Sequence, residues 1–316
     1  MRRGLLLSAA VALTLAVPAA DPAARPVRFL LAVAAGGTVA LYGSSDGVRF
    51  TPSPGFTPGP GSSPSPVRRG PTLYLYGSPA LSAQGLGGAL RRFTARADGR
   101  LAEGSPAAYG VQLASPEDAG RATPSALAPS LAVDDAGSLL LLYALRYEPG
   151  TNACPLAGRS AAGQSPAARR GAGQACVKLR TATEVPGSDG TAFTGDPGNR
   201  IVVSFDPADS IGPPSLLRAD KSWAVLMQGP SGCLHALTAT DPHGAYRNAG
   251  CISDGGPAVP SGLWDARLRV YRLYGVAGGR VVRAATARLR RLAPARFRPL
   301  SLPGRPSAAR IVANAP

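Results

Sequence analysis

A short unit recurs along this 316-residue chain, and it predicts strands rather than helices. In each copy a Pro-Ser or Ser-Pro pair leads into apolar residues, a polar turn and a second apolar run that often ends in tyrosine. The copies begin at Ser65-Pro66-Val67, Pro129-Ser130-Leu131, Pro214-Ser215-Leu216 and, more loosely, Pro257-Ala258-Val259. An N-terminal piece from Val27 to Tyr42 fits the same strand–turn–strand plan without the Pro-Ser pair.

A second unit alternates with the first and has the chemistry of a β-hairpin. Its best copy runs from Tyr42 to Phe50 and holds the pair Asp46-Gly47, and a similar pair stands at Asp189-Gly190. In such turns the aspartate accepts backbone N–H groups and the glycine supplies a positive φ. We therefore interpret these aspartates as structural residues.

The abundance of turn-forming residues supports an all-β fold. The chain contains 39 Gly and 32 Pro, more than a fifth of its residues, and both damage helix interiors. A hydrophobic content of 45% excludes a wholly disordered chain. Alternation of the two units yields about five sets of short antiparallel strands, and radial repetition protects the edges of small sheets. We predict a five-bladed β-propeller over residues 21–316, with a pair of packed β-sandwich sheets as the alternative.

The N-terminus has the pattern of a secretory signal peptide over residues 1–20. Arg2 and Arg3 precede an apolar stretch from Leu5 to Val17, and small residues follow it. We expect a secreted or periplasmic protein with no membrane span in the mature chain. An uncleaved N-terminal anchor is the alternative.

The four cysteines agree with export to an oxidising compartment. Four cysteines allow three disulfide connectivities. We predict the local pairs Cys154–Cys176 and Cys233–Cys251, because each pair flanks a single excursion between strand-like runs. No CxxC or HxxxH spacing occurs, so no metal and no cofactor is predicted.

The net charge of +16 favours anionic partners, because 34 Lys and Arg face only 18 Asp and Glu. Acidic glycans, teichoic or lipid headgroups and extracellular nucleic acid all carry the complementary charge. The alternative is that the arginine bias reflects a GC-rich coding sequence and serves only solubility. Basic motifs interleaved with aromatics are absent from the sequence, so specific nucleic-acid recognition is not expected.

The alternation of the two units resembles the five-bladed propeller glycosidases of the arabinanase and xylosidase type. It is similar, more weakly, to sialidase-type propellers with their Asp-box turns. The resemblance covers nearly the whole chain after residue 20. It implies a propeller fold and a carbohydrate ligand at the mouth of the central channel.

The acids that such glycosidases use are missing at the matching positions. In those enzymes an aspartate commonly precedes the proline of an inner strand, and a glutamate stands in a Glu-Gly-Pro-like segment. Here the latter segment is Gly255-Gly256-Pro257, and the residues before the other prolines are Ser65, Ala128 and Pro213. Glycoside hydrolysis ordinarily needs two carboxyl groups. We therefore predict a degenerate, non-catalytic member that binds an extracellular carbohydrate or anionic polymer.

An active glycoside hydrolase remains the rival hypothesis, with displaced acids at the channel mouth. The candidate catalytic residues are Asp118, Asp209 and Asp254, each shortly before a strand that a proline opens. Candidate ligand-binding residues are Arg121 and Trp264, and Trp264 is interpreted as a turn residue that either stacks on a sugar ring or packs between blades. A third hypothesis is a scaffold whose channel is plugged by apolar side chains. The sequence lacks GxSxG, P-loop and HExxH motifs, which argues against other common enzyme classes.

Overall fold

The computed structural model describes residues 26–53, 55–77, 89–95, 101–102, 109–110, 112–114, 125–147, 175–206, 209, 211–219, 221–290 and 292–314. The signal-peptide prediction for residues 1–20 lies outside these ranges. Within them, no helix is long and apolar enough to cross a bilayer. The strands are β1 Phe29–Ala35, β2 Thr38–Ser44, β3 Thr51–Pro52, β4 Gly59–Pro60, β5 Ser65–Arg69, β6 Thr72–Gly77, β7 Ala89–Ala95, β8 Leu101–Ala102, β9 Tyr109–Gly110, β10 Gln112–Ala114, β11 Ser125–Val133, β12 Leu139–Tyr147, β13 Ala175–Glu184, β14 Ala192–Gly195, β15 Ile201–Phe205, β16 Ser215–Arg218, β17 Trp223–Gln228, β18 Leu234–Ala239, β19 Arg247–Ser253, β20 Ala258–Asp265, β21 Val270–Ala277, β22 Arg280–Thr286, β23 Arg298–Pro299 and β24 Ala308–Ala313.

These strands form five small sheets, which we number as blades. Blade 1 has the order β24-β1-β2-β3, with β4 beside β2. Blade 2 is β5-β6-β7-β8 with β9 beside β7, and blade 3 is β11-β12-β13-β14-β10 with β15 beside β13. Blade 4 is β16-β17-β18-β19, and blade 5 is β20-β21-β22-β23.

The first strand of each blade lies around a common axis. Strand β5 contacts β11, β11 contacts β16, β16 contacts β20, β20 contacts β24, and β24 contacts β5, which closes the ring. The prediction of a five-bladed β-propeller is confirmed. The N-terminal piece does not open its blade, however, because β1 and β2 are the second and third strands there. The C-terminal strand β24 pairs with β1 and supplies the inner position, with Phe29 opposite Ala313.

The hydrophobic core is divided into five layers, one between each pair of neighbouring blades. Tyr76 and Leu141 share the layer between blades 2 and 3, and Leu142 and Trp223 share the next. The remaining three clusters join blades 4 and 5, blades 5 and 1, and blades 1 and 2. Each sheet thus buries both of its faces, which explains the nearly continuous apolar runs of its central strands.

The serine of the Pro-Ser unit links one inner strand to the next. Ser65 Oγ accepts a hydrogen bond of 3.0 Å from the amide of Leu131, and Ser130 Oγ accepts one of 2.9 Å from Leu216. Ser261 Oγ likewise accepts one of 3.0 Å from Ile311. An inner strand lacks a sheet partner on its axial side, so the hydroxyl satisfies an amide that no sheet bond reaches.

The position of Ser261 corrects the fourth copy of the repeat. The unit equivalent to Pro129-Ser130 is Pro260-Ser261, not Pro257-Ala258. An irregularity in pairing lies between Ala258 and Ser261, where Val259 has a φ of +49°. This bulge displaces the motif along the strand.

The Asp-Gly turns fasten one blade to another. Asp46 Oδ1 accepts the amides of Val48 at 2.7 Å and Arg49 at 2.9 Å, as predicted for a turn aspartate. Gly47 has a φ of +72°, and its carbonyl accepts a 2.7 Å hydrogen bond from the hydroxyl of Tyr274 in blade 5. The repeated tyrosine of the first unit therefore has a structural reason, since its hydroxyl holds the turn of the next blade.

The second such turn uses its acid differently. The hydroxyl of Tyr76 donates to the carbonyl of Gly190, and Glu184 accepts the Gly190 amide at 2.6 Å. The side chain of Asp189 does not cap its own turn but forms an ion pair of 3.2 Å with Arg92 of blade 2. Asp189 is structural, but through an interblade contact rather than a turn cap.

The predicted disulfide between Cys233 and Cys251 is confirmed, with a Cα–Cα distance of 5.8 Å. It joins the segment between β17 and β18 to the outermost strand of blade 4. Cys176 is also disulfide-bonded. Its predicted partner, Cys154, lies outside the described residues.

Candidate ligand-binding site at the channel mouth

The direction of the inner strands defines two ends of the central channel. Each inner strand starts where the connection from an outer strand of the preceding blade arrives. The turns between the second and third strands of each blade lie at this same end. We call this end the mouth, because the connections between successive blades arrive there.

An arginine from the last strand crosses the channel. Arg310 is 3% exposed, and its two terminal nitrogens donate to the carbonyl of Pro260 at 3.0 Å and of Pro214 at 2.9 Å. Pro214 directly precedes β16 of blade 4, which is not a neighbour of blade 1. The side chain therefore reaches it across the axis rather than through a layer between adjacent blades.

Arg310 stands where the other inner strands have serine. It directly precedes Ile311, just as Ser130 precedes Leu131. Each linking serine accepts a hydrogen bond from a backbone N–H of the next blade. For Arg310 the next blade is blade 2, and the residue at the matching position there is Pro66, which has no backbone N–H. A serine in place of Arg310 would therefore find no donor. The arginine instead turns toward blades 4 and 5 and holds their carbonyls.

The channel thus contains a fixed positive charge. Burial lowers the pKa of Arg310 to about 10, which still leaves the guanidinium protonated at neutral pH. Within the described residues no carboxylate forms an ion pair with it. This arrangement differs from an apolar plug. It also places a cation, which cannot donate a catalytic proton near neutral pH, near the axis.

Asp254 lies beside the disulfide of blade 4. A carboxylate oxygen of Asp254 is 3.0 Å from Cys251 Sγ, and the residue is exposed. The sulfur carries no proton in a disulfide, so this is a contact and not a hydrogen bond. Cys233, Cys251 and Asp254 have their ligand atoms within 4.8 Å of one another, but bonded sulfurs are not the thiolates that bind metal ions.

The glycines after Asp254 occupy backbone positions that do not suit the glutamate of the glycosidase segment. Gly255 has a φ of +66°, a conformation that side-chain-bearing residues rarely adopt. A Cβ on Gly256 would lie 2.5 Å from the Cβ of Leu234. This backbone path disfavours an acid at Gly255 and leaves no room for any side chain at Gly256.

Of the other candidate acids and the candidate arginine, only Asp209 lies within the described part of the chain. Asp209 lies in the connection from β15 to β16 at the mouth end, and its amide donates to the carbonyl of Asp206 at 2.8 Å. Asp118 and Arg121 lie outside the described residues. Asp209 precedes β16, whereas Asp254 precedes β20, so the two approach the mouth from neighbouring blades.

Trp264 is in strand β20, and the interpretation of this residue as part of a turn is wrong. Its ring packs against Tyr271 of the adjacent strand, with 4.8 Å between ring centroids. It is the penultimate residue of β20, whereas Asp254 precedes the start of that strand. At about 3.3 Å per strand residue, β20 is roughly 20 Å long, so Asp254 and Trp264 lie toward opposite ends of this strand.

A groove of about 800 Å³ opens at the mouth end of blade 5. It is lined by residues of the turn 278–280, between β21 and β22, and of the segment 299–305, which leads from β23 to β24. Arg280 and Arg305 are exposed on its walls, and Ser301 adds a hydroxyl. None of its lining residues is acidic. The groove can accept negative charge and hydroxyl groups together.

No protein-family model and no curated protein sequence matches this chain. Among solved structures it is similar to inulosucrase from Halalkalicoccus jeotgali, with 14% identity, 91% of each chain covered and a TM-score of 0.46. It is also similar to the endo-arabinase of Bacteroides thetaiotaomicron, with 10% identity, 84% of this chain and 94% of that one covered, and a TM-score of 0.47.

A third similar structure is the exo-β-1,3-galactanase of Clostridium thermocellum, with 13% identity and a TM-score of 0.45. The match covers 84% of this chain but only 51% of the galactanase. The assignment of the fold rests on the chain's own five sheets and on the closed ring of inner strands.

Sequence reasoning missed Arg310 and the groove. A usable signal was present, because Pro306-Ser307 is a further Pro-Ser pair shortly before the C-terminus. It marks β24, the inner strand of blade 1, and places Arg310 within it. No sequence motif marks the groove, because its two walls, residues 278–280 and 299–305, are brought together only by the pairing of β22 with β23.

Proposed function

We propose that this protein is an exported, non-hydrolytic binder of an anionic extracellular carbohydrate, and that the groove at the mouth of blade 5 is its binding site. The observation that carries the proposal is the groove itself, where Arg280 and Arg305 stand without any acidic lining residue. Arginine presents a planar fork of donors that matches carboxylate and sulfate groups. Ser301 and the glycine backbone supply the partners that sugar hydroxyls require.

The channel chemistry supports binding without turnover. Two carboxyl groups must flank a glycosidic bond for ordinary hydrolysis. Among the described residues, Arg310 presents its guanidinium near the axis, and the Glu-Gly-Pro position is occupied by Gly255 in a conformation that disfavours an acid. The motif resemblance to glycosidase propellers supports carbohydrate as the ligand class.

Export agrees with the Cys233–Cys251 disulfide, because disulfides persist mainly in oxidising compartments. We propose that the chain is processed near residue 20 and that the remainder, residues 21–316, folds as one propeller. N-terminal sequencing of the protein released by the producing cell tests this directly. A mature protein that begins at Met1 would contradict it.

Calorimetric titration with trigalacturonate, an anionic oligosaccharide, tests the binding site. Arg305→Gln should weaken trigalacturonate binding by about tenfold, because one charge-assisted pair contributes 1.5–3 kcal/mol and its exposure reduces that value. Arg247→Gln, which removes an exposed arginine of blade 4, is the matched control and should change the affinity less than twofold. Equal effects of the two variants, or equal binding of neutral maltotriose, would contradict the proposal.

The rival hydrolase hypothesis assigns catalysis to displaced acids among Asp118, Asp209 and Asp254. Product analysis after prolonged incubation with polygalacturonate, arabinan and galactan separates the two functions. Binding without released sugars supports the proposal. Release of sugars that Asp254→Asn abolishes would establish the hydrolase instead.

A further inference from the structure

The positive charge of this protein is concentrated in its last 51 residues. After Asp265 the sequence contains twelve arginines and no acidic residue, whereas the first 265 residues hold 22 basic and 18 acidic residues. Residues 266–316 therefore carry three quarters of the net charge. They include β21 to β23 of blade 5 and the closing strand β24.

Five of these arginines lie along the outer rim of blade 5, and we call them the basic rim. Four of them are exposed and Arg283 is half-buried. The rim consists of Arg283, Arg288, Arg290, Arg296 and Arg298. Among the described residues none of the five forms an ion pair with a carboxylate. This contrasts with Arg69, Arg92 and Arg218 of the other blades, which all do.

Two rim arginines face each other across neighbouring strands. Arg283 of β22 and Arg298 of β23 are direct partners in the antiparallel register. Like charges in directly opposite positions destabilise a sheet, and their Cβ atoms are about 5 Å apart. A bound anion between them would remove this repulsion.

The loop that bears the rest of the rim is held in place by its apolar residues. Leu289, Leu292 and Phe297 pack against the cluster between blades 4 and 5, and the Leu292 amide donates to the carbonyl of Ile252. Arg290 and Arg296, which lie between these anchors, are exposed. A loop fixed in this way loses little conformational entropy on binding.

The rim continues into the mouth groove. Strand β22 begins at Arg280 on the groove wall and ends shortly before Arg288, so it spans about 20 Å at 3.3 Å per residue. The chain then returns through Arg298 to the opposite wall at Arg305. The charge therefore forms a path from the groove over the outer edge of the propeller.

We infer that the basic rim is a docking path for a long anionic polysaccharide, one segment of which occupies the groove. The inference rests on the proposed function and adds that the ligand is a polymer rather than a short oligosaccharide. A polysaccharide suits the rim better than single-stranded nucleic acid, since Phe297, the aromatic of the rim loop, is packed into the core cluster rather than presented to bases.

The experiment compares polygalacturonate with trigalacturonate at 50 and 200 mM salt. Arg290→Gln/Arg298→Gln should weaken polygalacturonate binding by about tenfold at low salt while trigalacturonate binding changes less than twofold. The matched control, Lys221→Gln/Arg247→Gln, removes two exposed charges from blade 4 and should change neither affinity more than twofold. Thermal melting verifies that each variant folds.

The outcomes separate this inference from the proposed function. If trigalacturonate binding depends on Arg305 but the affinity for polygalacturonate is unchanged in the rim variant, the inference about the basic rim is wrong and the proposed function stands. An equal loss of affinity for polygalacturonate in the rim variant and in the control also overturns the inference, because it would reflect net charge only. A wild-type protein that binds neither ligand overturns both, and tighter binding of a single-stranded oligonucleotide than of polygalacturonate overturns the choice of ligand.

Discussion

Arg310 donates a 2.9 Å hydrogen bond to the carbonyl of Pro214, which belongs to a blade that is not adjacent to its own. With the second bond to Pro260, one side chain thus connects blades 1, 4 and 5 at the axis. The ring of a propeller is closed by contacts between its first and last segments. Here that closure includes a charged group in addition to the β1–β24 pairing.

Arg310→Met should lower the free energy of unfolding by about 2 kcal/mol. Two buried carbonyls lose a charged donor, and relief from burying the charge only partly offsets that loss. Urea denaturation followed by circular dichroism measures the change. Arg305→Met, at an exposed position, should stay within about 0.5 kcal/mol. A more stable Arg310→Met variant would show that burial of the charge costs more than its hydrogen bonds contribute.

The ion pair of Asp265 and Arg272 should be the most sensitive polar contact of blade 5. Their side chains are 2% and 8% exposed, and Arg272 Nε lies 2.8 Å from Asp265 Oδ2. Asp265→Ala should destabilise the protein by about 3 kcal/mol, because it leaves a buried, uncompensated guanidinium. The double variant Asp265→Ala/Arg272→Met should recover most of this loss. A double variant as unstable as the single one would mean that Asp265 acts through some other contact.

The same aspartate predicts a loss of stability in acid. Burial alone would raise the pKa of Asp265, but the hydrogen bond and charge of Arg272, together with the Leu268 amide and the charge of Arg28, hold the pKa below the ordinary 3.8. Its contribution is therefore complete above about pH 5 and declines as the pH falls through the folded-state pKa. Urea midpoints at pH 7 and pH 2.5 should differ more for the wild type than for Asp265→Asn. Identical pH dependence in both would refute this assignment.

The tyrosine that holds the Asp46-Gly47 turn should contribute about 1 kcal/mol, as a typical buried hydrogen bond does. Tyr274→Phe removes the hydroxyl that donates to Gly47 and keeps the ring that packs edge-on against Phe50 at 6.0 Å. Hydrogen exchange at the amides of Val48 and Arg49 should accelerate while exchange in β17 stays unchanged. Unaltered exchange in the turn would mean that Asp46 alone maintains it.

Loss of the Cys233–Cys251 disulfide should cost about 3 kcal/mol in the loop-entropy model, since the bridge spans 18 residues. Cys233→Ala/Cys251→Ala tests this by thermal melting, and reduction of the wild type by dithiothreitol is the independent comparison. The variant should also free Asp254 from its contact with Cys251. A melting temperature that does not change would indicate that β19 is held by its strand pairing alone.

Much of the fold was predictable because its signals are local. A proline, a serine and the Asp46-Gly47 pair act on their own few residues, so they mark strands and turns wherever they fall. The exceptions arise where pairing shifts the register, as the bulge at Val259 does before Ser261. Strand direction then decided that Trp264 and Asp254 belong to opposite ends of β20.

From its residues alone the chain specified short strands, five repeated sets of them and a strongly basic surface. Tertiary structure decided which strand closes the ring, what crosses the channel and where the charge is presented. Arg310 meets carbonyls 50 and 96 positions earlier in the chain, and no local pattern encodes such a distance. Contacts of that kind exist only after all five blades have assembled around one axis, because closure brings the last strand to the first.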